Sequence, residues 1–462
     1  MDRREFIERC ALLCVTTHGL LQQPSLNSKT MMMDQLTIRK VSSDFEREKL
    51  RFPFGFKGAF LTELWQTVVL LEGAKGQYGV GLATQSVLYG DADVFASTSE
   101  ANGNAWMFAL SNRALTWLKD KSFENPVAAL DALLPWLYQE GKTLTGQAKL
   151  NINFVFNALV SVDNAMWMLY AKQKNLSTFH ELIPAPYKSA FSHQNDKVAV
   201  MFQISYNMPL SDIEQAVEAG YFVFKLKTGS PGDQASMLKQ DQVRLKEIHE
   251  TINATLKRIN SNKRMYYTMD ANGRYEKKAT LKAYLDYAKQ IGAFDRILFY
   301  EEPFVEANTE HVGDLGLIVG ADESVHNEQD ALKKIKLGYK AFILKGIAKT
   351  LSQTIKIAKV AHDHQIPCLC SDLTVNPVLI EWNKIIAASL PPFPGLGMGL
   401  METNGDMNYV AWEAMKQKHP FPEASWTQAR DGVFHLDASF FEKMGGMMTV
   451  STHYKAFLGL KD

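Results

Sequence analysis

The sequence contains few cysteines and no excess of either charge. Its 462 residues include only 4 cysteines, too few for a fold held together by disulfides. Lysine and arginine total 50, as do aspartate and glutamate, so no basic excess indicates a nucleic-acid partner. There is no run of about 18 uncharged apolar residues, so the sequence predicts no membrane span. What remains, with 46% hydrophobic residues, is a globular chain of enzyme size.

The first 33 residues have the pattern of an export signal. Arg3 and Arg4 precede a short apolar stretch from Cys10 to Val15, as in a twin-arginine leader. This predicts a protein that is exported to the periplasm after folding. The apolar stretch is short and no A-x-A cleavage site follows it, so an N-terminal tail on a cytoplasmic protein is the alternative. Residues 1–33 are therefore treated as leader and linker.

Residues 34–190 predict a small α+β domain. Residues 62–71 are rich in β-branched and large apolar side chains, and the glycines that follow at 73, 76, 79 and 81 are typical of a hairpin. From 104 to 174 the apolar period becomes helical, with a stripe from Phe154 to Leu169 that predicts one buried helix face. Residues 405–462 are expected to pack back on this domain.

Residues 191–404 contain eight short apolar runs separated mostly by segments of helical period. The runs lie at 198–204, 221–226, 265–269, 297–300, 317–319, 341–344, 366–369 and 396–400. Strands that alternate with helices predict a parallel α/β sheet, and eight of them favour a (β/α)₈ TIM barrel. A doubly wound open sheet is the alternative, although no G-x-G-x-x-G fingerprint supports it.

Ionisable residues stand at the ends of five consecutive predicted strands. In strand order they are Lys225 and Lys227, Asp270, Glu301 and Glu302, Asp322 and Glu323, and Lys345. The carboxyl ends of barrel strands meet at one rim, where active sites lie. Strand alternation places Lys225 and Lys227 on the same face, pointing into the barrel. Taken singly, each residue would be an exposed strand end or a helix cap, but their succession predicts one site.

The residue types at this rim favour metal-assisted proton transfer. Buried carboxylates on adjacent strands would largely protonate unless they shared a cation. Ligation by oxygen alone suits Mg²⁺, or Mn²⁺ in its place. Lysines on either side of such a cluster are placed to move protons, because burial and a nearby cation lower a lysine's pKa towards the working pH.

The order Lys-x-Lys, Asp, Glu-Glu-Pro, Asp-Glu-Ser, Lys resembles the enolase superfamily. The most similar branch is that of muconate lactonizing enzyme, o-succinylbenzoate synthase and dipeptide epimerase. Residues 157–167 are also similar to the family's segment leading into the barrel, and the resemblance covers roughly residues 36–405. It implies a modified barrel beneath an α+β capping domain. It also implies a metal-stabilised enediolate, formed by removal of the proton α to a carboxylate.

The resemblance implies a role for each rim residue. The implied metal ligands are Asp270, Glu301 and Asp322. Lys227 and Lys345 would be acid/base groups on opposite faces of the substrate, while Lys225 would lower the pKa of Lys227 and help neutralise the substrate carboxylate. The residues that would support the ligands or touch the substrate are Glu302, Glu323, Glu402 and Asn272. Which member of each adjacent acidic pair binds the metal stays open.

Departures from the family's pattern bear on the substrate. The seventh predicted strand, read through residue 372, contains no histidine, so the His-Asp dyad of the mandelate racemase branch is missing and acid-sugar dehydration is disfavoured. The eighth run ends Glu402-Thr403-Asn404, not in the Asp-x-Asp with which dipeptide epimerases hold a substrate ammonium. Glu402 would be its replacement.

The leading interpretation is a Mg²⁺-dependent racemase or epimerase of a small carboxylate, such as a dipeptide or an N-substituted amino acid. A cycloisomerase or an o-succinylbenzoate synthase-like lyase of the same superfamily is the first alternative. An exported carboxylate-binding protein without turnover is the second, although binding alone would not require two opposed lysines. A homo-oligomer is compatible with the sequence.

Overall fold

The computed structural model describes residues 35–56 and 59–461, which form a closed strand barrel and a smaller domain of antiparallel strands and helices. The predicted leader, residues 1–33, lies outside the described residues, so both localisations stay predictions. The strands are β1 (Leu36–Thr37), β2 (Lys40–Phe56), β3 (Ala59–Glu72), β4 (Tyr78–Gln85), β5 (Ser122–Phe123), β6 (Lys197–Ile204), β7 (Val223–Lys227), β8 (Tyr266–Asp270), β9 (Ile297–Glu301), β10 (Val319–Ala321), β11 (Ala341–Leu344), β12 (Cys368–Cys370), β13 (Gly399–Glu402) and β14 (Val433–His435).

Helices cover both the barrel and the smaller domain. They are α1 (Val87–Gly90), α2 (Ala92–Ser97), α3 (Glu100–Leu118), α4 (Pro126–Thr145), α5 (Ile152–Lys174), α6 (Phe179–Leu182), α7 (Leu210–Glu218), α8 (Gln234–Arg258), α9 (Lys278–Gln290), α10 (Glu328–Lys336), α11 (Gly346–Lys349), α12 (Leu351–Asp363), α13 (Pro377–Ser389), α14 (Gly405–Asn408), α15 (Trp412–Lys416), α16 (Ala438–Lys443) and α17 (Thr452–Phe457). Short 3₁₀ helices lie at Ala185–Phe191, Phe294–Arg296, Ser425–Thr427 and Met444–Gly446.

The barrel consists of β6 to β13. These strands pair in parallel in chain order, and β13 pairs with β6 through Gly399–Val198 to Glu402–Met201, which closes the ring. All eight predicted strands are present within three residues of their expected ends. Because the sheet is closed, the open doubly wound alternative is wrong and the (β/α)₈ prediction is confirmed. β14 pairs antiparallel with the first three residues of β6.

The smaller domain contains the antiparallel sheet β2–β3–β4 and the helices α3, α4 and α5, which confirms the predicted α+β cap. The hairpin between β3 and β4 is present, but Gly79 and Gly81 lie inside β4 and not in its turn. A Cβ atom at Gly81 would lie 1.9 Å from the carbonyl oxygen of Ser161 in α5. These glycines therefore let the helix backbone approach the sheet closely.

Helix α5 is buried on all sides and not on one face as predicted. Its polar residues Asn157 and Asp163 are as buried as its apolar stripe, because both find partners. Among the described residues it is the one helix long and apolar enough to cross a membrane, but 94% of its most apolar window is buried inside the protein. As a core helix passes the same test, this is weak evidence for a membrane span.

Asp163 ties this helix to the barrel. Its carboxylate accepts hydrogen bonds from the backbone N–H of Ser352 at 3.0 Å and from the Ser352 hydroxyl at 2.5 Å. Burial raises the pKa of Asp163 to about 6, although the Ser352 bonds oppose the shift. Ser352 lies in the first turn of α12, which follows β11 and α11. The cap is thus joined directly to the barrel segment that follows Lys345.

The C-terminal segment contacts both parts of the chain. Lys418 pairs with Glu46 at 3.2 Å and with Glu48 at 2.8 Å, both on β2 of the cap. His453 also reaches Glu46, at 3.0 Å. The limits of the predicted domains stay a prediction.

We expect Gly81→Ala to destabilise the protein by about 1–3 kcal/mol, because the added methyl group would overlap the α5 backbone. Thermal unfolding would measure the effect. Gly76→Ala is the control: it lies in the same hairpin with open space around it, although its φ of +80° makes alanine mildly unfavourable. A Gly81→Ala midpoint as high as that of Gly76→Ala would contradict the close-approach interpretation.

Candidate active site

The predicted rim residues meet at the carboxyl end of the barrel. Lys227, Asp270 and Glu301 are register partners on β7, β8 and β9. Asp322 follows the last residue of β10, and Lys345 follows the last residue of β11. Five adjacent strands therefore end in ionisable residues at the same rim of the barrel, as the strand order predicts.

Lys225 lies inside the barrel among three carboxylates. Its Nζ is 3.0 Å from Asp270 Oδ2, 2.9 Å from Glu301 Oε2 and 3.0 Å from Glu402 Oε2. All four side chains are almost completely buried. Alternation along β7 places Lys225 inside and Phe224 outside, as predicted. The ammonium group therefore occupies a point that three carboxylates share.

Lys227 stands nearer the mouth of the barrel. Its Nζ donates to Asp270 Oδ2 at 2.5 Å and to Asn272 Oδ1 at 2.8 Å. The Asn272 amide also donates to Glu323 Oε1 at 3.0 Å. With 19% of its side chain exposed, Lys227 is the more accessible lysine of β7. Asn272 therefore orients Lys227 and connects it to the far side of the acidic cluster.

Two lysines surround Asp322. Lys345 Nζ donates a short hydrogen bond to Asp322 Oδ2. Lys349, one helical turn later, donates to the backbone carbonyls of Asp322 at 2.6 Å and Val325 at 3.0 Å. Lys345 thus contacts the carboxylate itself, whereas Lys349 holds the backbone that carries it.

The two carboxylates nearest Lys225 differ in their electrostatics. Burial favours the neutral form of Asp270, but the ammonium groups of Lys225 and Lys227 outweigh it and hold the pKa of Asp270 well below its usual value. Burial and the negative charge of Asp270 raise the pKa of Glu301 well above its ordinary value, with Lys225 offsetting only part of the rise. The lysines therefore compensate the charge of Asp270 more fully than that of Glu301.

The buried carboxylates also shift the pKa values of the lysines. Burial alone would lower the pKa of Lys345, but the carboxylates of Asp322 and Glu323 raise it well above its ordinary value. The pKa of Lys225 is likewise raised by its carboxylates against the effect of burial. We predicted a lowered lysine pKa for a site that also holds a cation. The negative charge that raises these values is the charge that a divalent cation would neutralise.

Glu302 and Glu323 have distinct positions beside the inward-facing residues. Glu302 Oε2 accepts the backbone N–H of Asp322 at 2.8 Å, and Glu302 itself adopts a φ of +37°. Burial and the charge of Glu323 raise the pKa of Glu302 to about 7, partly offset by Lys334. Because Glu302 turns towards the backbone at the end of β10, Glu301 is the member of its pair that faces Lys225.

Glu402 is held by protein groups. Its Oε2 is 3.0 Å from Lys225 Nζ and accepts the Ser371 hydroxyl at 2.7 Å. Asn404, two residues later, donates to Gln203 Oε1 at 2.7 Å and accepts from the Thr374 hydroxyl at 2.9 Å. The carboxylate proposed as a substitute for an ammonium-binding Asp-x-Asp pair is therefore engaged in the charge balance of the barrel.

Sequence reasoning missed Tyr89 and Lys349. The Lys345 ammonium lies 4.8 Å from the centre of the Tyr89 ring, which α1 of the cap brings over the barrel. No sequence signal identified Tyr89, because α1 is four residues long and contains no motif. Lys349 follows Lys345 by four residues, a spacing that places two lysines on one helical face, and this signal was available.

The rim residues fit the chemistry of a hard divalent cation. Within the described ranges no three acidic, histidine or cysteine side chains are already arranged as a metal cage. However, Asp322 Oδ1 and Glu323 Oε2 are buried there without a hydrogen-bond partner, and Glu301 Oε2 has only its ion pair with Lys225. Buried carboxylate oxygens that lack donors are the ligands that Mg²⁺ and Mn²⁺ accept.

Comparison with known proteins agrees with this fold. Residues 210–421 match a family model described as enolase C-terminal domain-like. A mandelate racemase/muconate lactonizing protein from Herpetosiphon aurantiacus superimposes with a TM-score of 0.62 and 15% identity, covering 87% of this chain and 96% of that one. A search of curated protein sequences found no match.

Two further solved structures are similar. A dipeptide epimerase from Enterococcus faecalis, complexed with Mg and the dipeptide L-Leu-L-Tyr, has a TM-score of 0.58 and 16% identity, covering 81% of this chain and 92% of that one. An N-succinyl Arg/Lys racemase from Bacillus cereus has a TM-score of 0.57 and 16% identity, covering 81% and 89%. Structural likeness at such identities shows the fold alone.

The matched segment contains β7 to β13 and every rim residue from Lys225 to Glu402. Residues 210–421 therefore form an enolase C-terminal-like domain, the kind of domain found in the enzymes of the enolase superfamily.

We expect Lys225→Met to destabilise the metal-free protein by about 3–5 kcal/mol, because it would leave three buried carboxylates without their common counter-charge. Thermal unfolding in a chelating buffer would measure this loss. Lys356→Met is the control, since Lys356 pairs at 2.7 Å with a half-exposed Asp131 and should cost about 1 kcal/mol or less. Equal losses in the two variants would show that the barrel interior does not depend on Lys225 for charge balance.

Proposed function

We propose that the protein is a Mg²⁺-dependent racemase or epimerase that removes and returns the proton α to a carboxylate. The observation that carries this proposal is the placement of two lysines on opposite sides of the rim. Lys227 ends β7 and Lys345 follows β11, four strands further round a closed ring of eight. Groups half a ring apart can approach the two faces of a substrate bound between them.

The three proposed metal ligands lie between these lysines along the ring. Asp270 and Glu301 end the intervening strands β8 and β9, and Asp322 directly follows β10. When bound there, Mg²⁺ would neutralise negative charge that builds up on the substrate carboxylate as the α-proton leaves. The carboxylates would hold the cation, and the two lysines would face the α-carbon from either side.

Each lysine has a distinct part in this proposal. Lys227 would remove or return the proton on one face, with Asn272 orienting its ammonium group. Lys345 would do the same on the other face, with the Lys349-bound backbone fixing the position of Asp322. Lys225, buried and already paired with three carboxylates, would stay charged and supply positive potential beneath the substrate.

A dipeptide or an N-substituted amino acid is the proposed substrate class. Both carry a carboxylate next to an acidic C–H bond, which is the group that the two lysines are arranged to use. The similar structures named above include a dipeptide epimerase and an N-succinyl amino acid racemase. Their low identity to this chain leaves the choice between the two classes to experiment.

Mg²⁺ at saturating concentration should raise the thermal midpoint of the wild type, since a ligand held at 100 times its Kd adds about 2.7 kcal/mol. Asp270→Asn and Asp322→Asn should each abolish most of this metal-induced shift. Asp314→Asn is the control, because its exposed carboxylate pairs with Lys278 away from the rim. A full shift in either rim variant would remove that residue from the ligand set.

The proton-transfer roles can be tested by α-proton exchange in D₂O, followed by NMR with dipeptides and with N-acetyl and N-succinyl amino acids. We expect Lys345→Ala to reduce exchange of one stereoisomer by about 100-fold or more, and Lys227→Ala to do the same for the opposite stereoisomer. Each variant should abolish net racemisation, because that reaction needs both faces.

Lys356→Ala serves as the control for general effects of lysine loss and should retain wild-type exchange. Unchanged racemisation in both rim variants would refute the two-base proposal. A product that has lost water, detected by mass, would identify a dehydrating lyase of the same superfamily instead.

A further inference from the structure

Tyr89 places a buried hydroxyl group beside the proposed reaction centre. Its hydroxyl oxygen is inaccessible to solvent and has no hydrogen-bond partner in the part of the chain that the structure describes. Its ring is only partly buried, and Lys345 Nζ lies 4.8 Å from the ring centre. Leaving a buried hydroxyl unpaired costs free energy, so such a group calls for a physical explanation.

The position of Tyr89 is set by the cap. The Ser86 hydroxyl accepts the backbone N–H of Tyr89 at 3.4 Å. The backbone N–H of Ser86 in turn donates to Asn157 Oδ1 at 2.8 Å. A Cβ atom at Gly90 would lie 3.0 Å from the Cα atom of Phe154, so α1 packs tightly on α5. The segment that carries Tyr89 is therefore anchored at both ends to the core helix of the cap.

The surroundings of Tyr89 keep its phenol group protonated. Burial raises the pKa of Tyr89 well above its ordinary value, and the carboxylates of Asp322, Glu323 and Glu302 add to the rise, while Lys345 opposes it. A neutral phenol donates one hydrogen bond. The ammonium group of Lys345, which has no proton-accepting capacity, faces the Tyr89 ring and cannot accept this bond.

We propose that Tyr89 is a substrate-binding residue whose hydroxyl donates a hydrogen bond to an oxygen of the bound carboxylate substrate, on the side of the α-carbon that Lys345 faces. This inference rests on the proposed function. It adds a residue of the cap to the barrel residues that are proposed to act on the substrate. It requires a substrate with an oxygen acceptor beside the reacting carbon, as a carboxylate or an acyl amide provides. The unpaired hydroxyl is then a cost of the free enzyme that substrate binding removes.

The test compares Tyr89→Phe with Tyr138→Phe in the full-length, Mg²⁺-loaded enzyme. Tyr138 is a matched control in the same domain, because its hydroxyl donates to the Leu150 carbonyl at 2.7 Å. The probes are dipeptides and N-acetyl and N-succinyl amino acids, with exchange rates by NMR and binding by calorimetry. We expect Tyr89→Phe to raise KM and Kd by about 5- to 30-fold and to change kcat less.

Stability separates this role from a structural one. Tyr89→Phe removes an unpaired polar atom and should leave the thermal midpoint unchanged or raise it. Tyr138→Phe breaks a hydrogen bond, so it should lower the midpoint and leave KM unchanged. If the wild type binds and turns over a probe but Tyr89→Phe has an unaltered KM and Kd, the Tyr89 inference alone is refuted. If the wild type neither binds nor exchanges any of the probes, the proposed function and this inference are both refuted.

Discussion

Charge balance inside the barrel mouth is the constraint on which the site depends. Four carboxylates are buried away from water: Asp270, Glu301, Asp322 and Glu402. Burying any one of them as an unpaired ion would cost several kcal/mol. Lys225 faces three of these carboxylates, and Lys345 faces the fourth. Without a bound cation, these carboxylates depend on ammonium groups close to them, and the proposed chemistry needs the same two kinds of group. Stability and reactivity therefore depend on the same ion pairs.

Closure of the barrel decides on which side of the candidate site each rim residue lies. In an open sheet, Lys227 and Lys345 would stand in one row with the carboxylates between them. In a closed ring of eight strands, the same order places the two lysines on opposite sides of the barrel mouth. The cap contributes a third side of the site. Its helix α5 is bonded to Ser352 of the barrel through Asp163, and α1, which packs on α5, places Tyr89 over Lys345. The candidate site is therefore bordered by both domains.

The eight barrel strands could be predicted because each is a short apolar run and needs no distant information to be recognised. Two features of the cap could not be predicted in the same way. Gly79 and Gly81 were interpreted as turn residues, but they accommodate the backbone of α5, which is about 80 residues away in the chain. Helix α5 was predicted to bury one face, because its apolar residues recur at helical spacing as a stripe. Asn157 and Asp163 are buried, since each bonds to a partner outside the helix.

The amino-acid sequence by itself determined which ionisable residues end the strands and in what order, because local patterns of apolar and polar residues mark where each strand stops. It also indicated that Lys225 points inward, since alternation along a strand is a local property. Only the tertiary structure decided that Lys225 meets Glu402, that Glu302 turns away from the centre and that Tyr89 lies over Lys345. Those contacts join residues far apart in the chain, and they exist only once the ring has closed and the cap has docked on it.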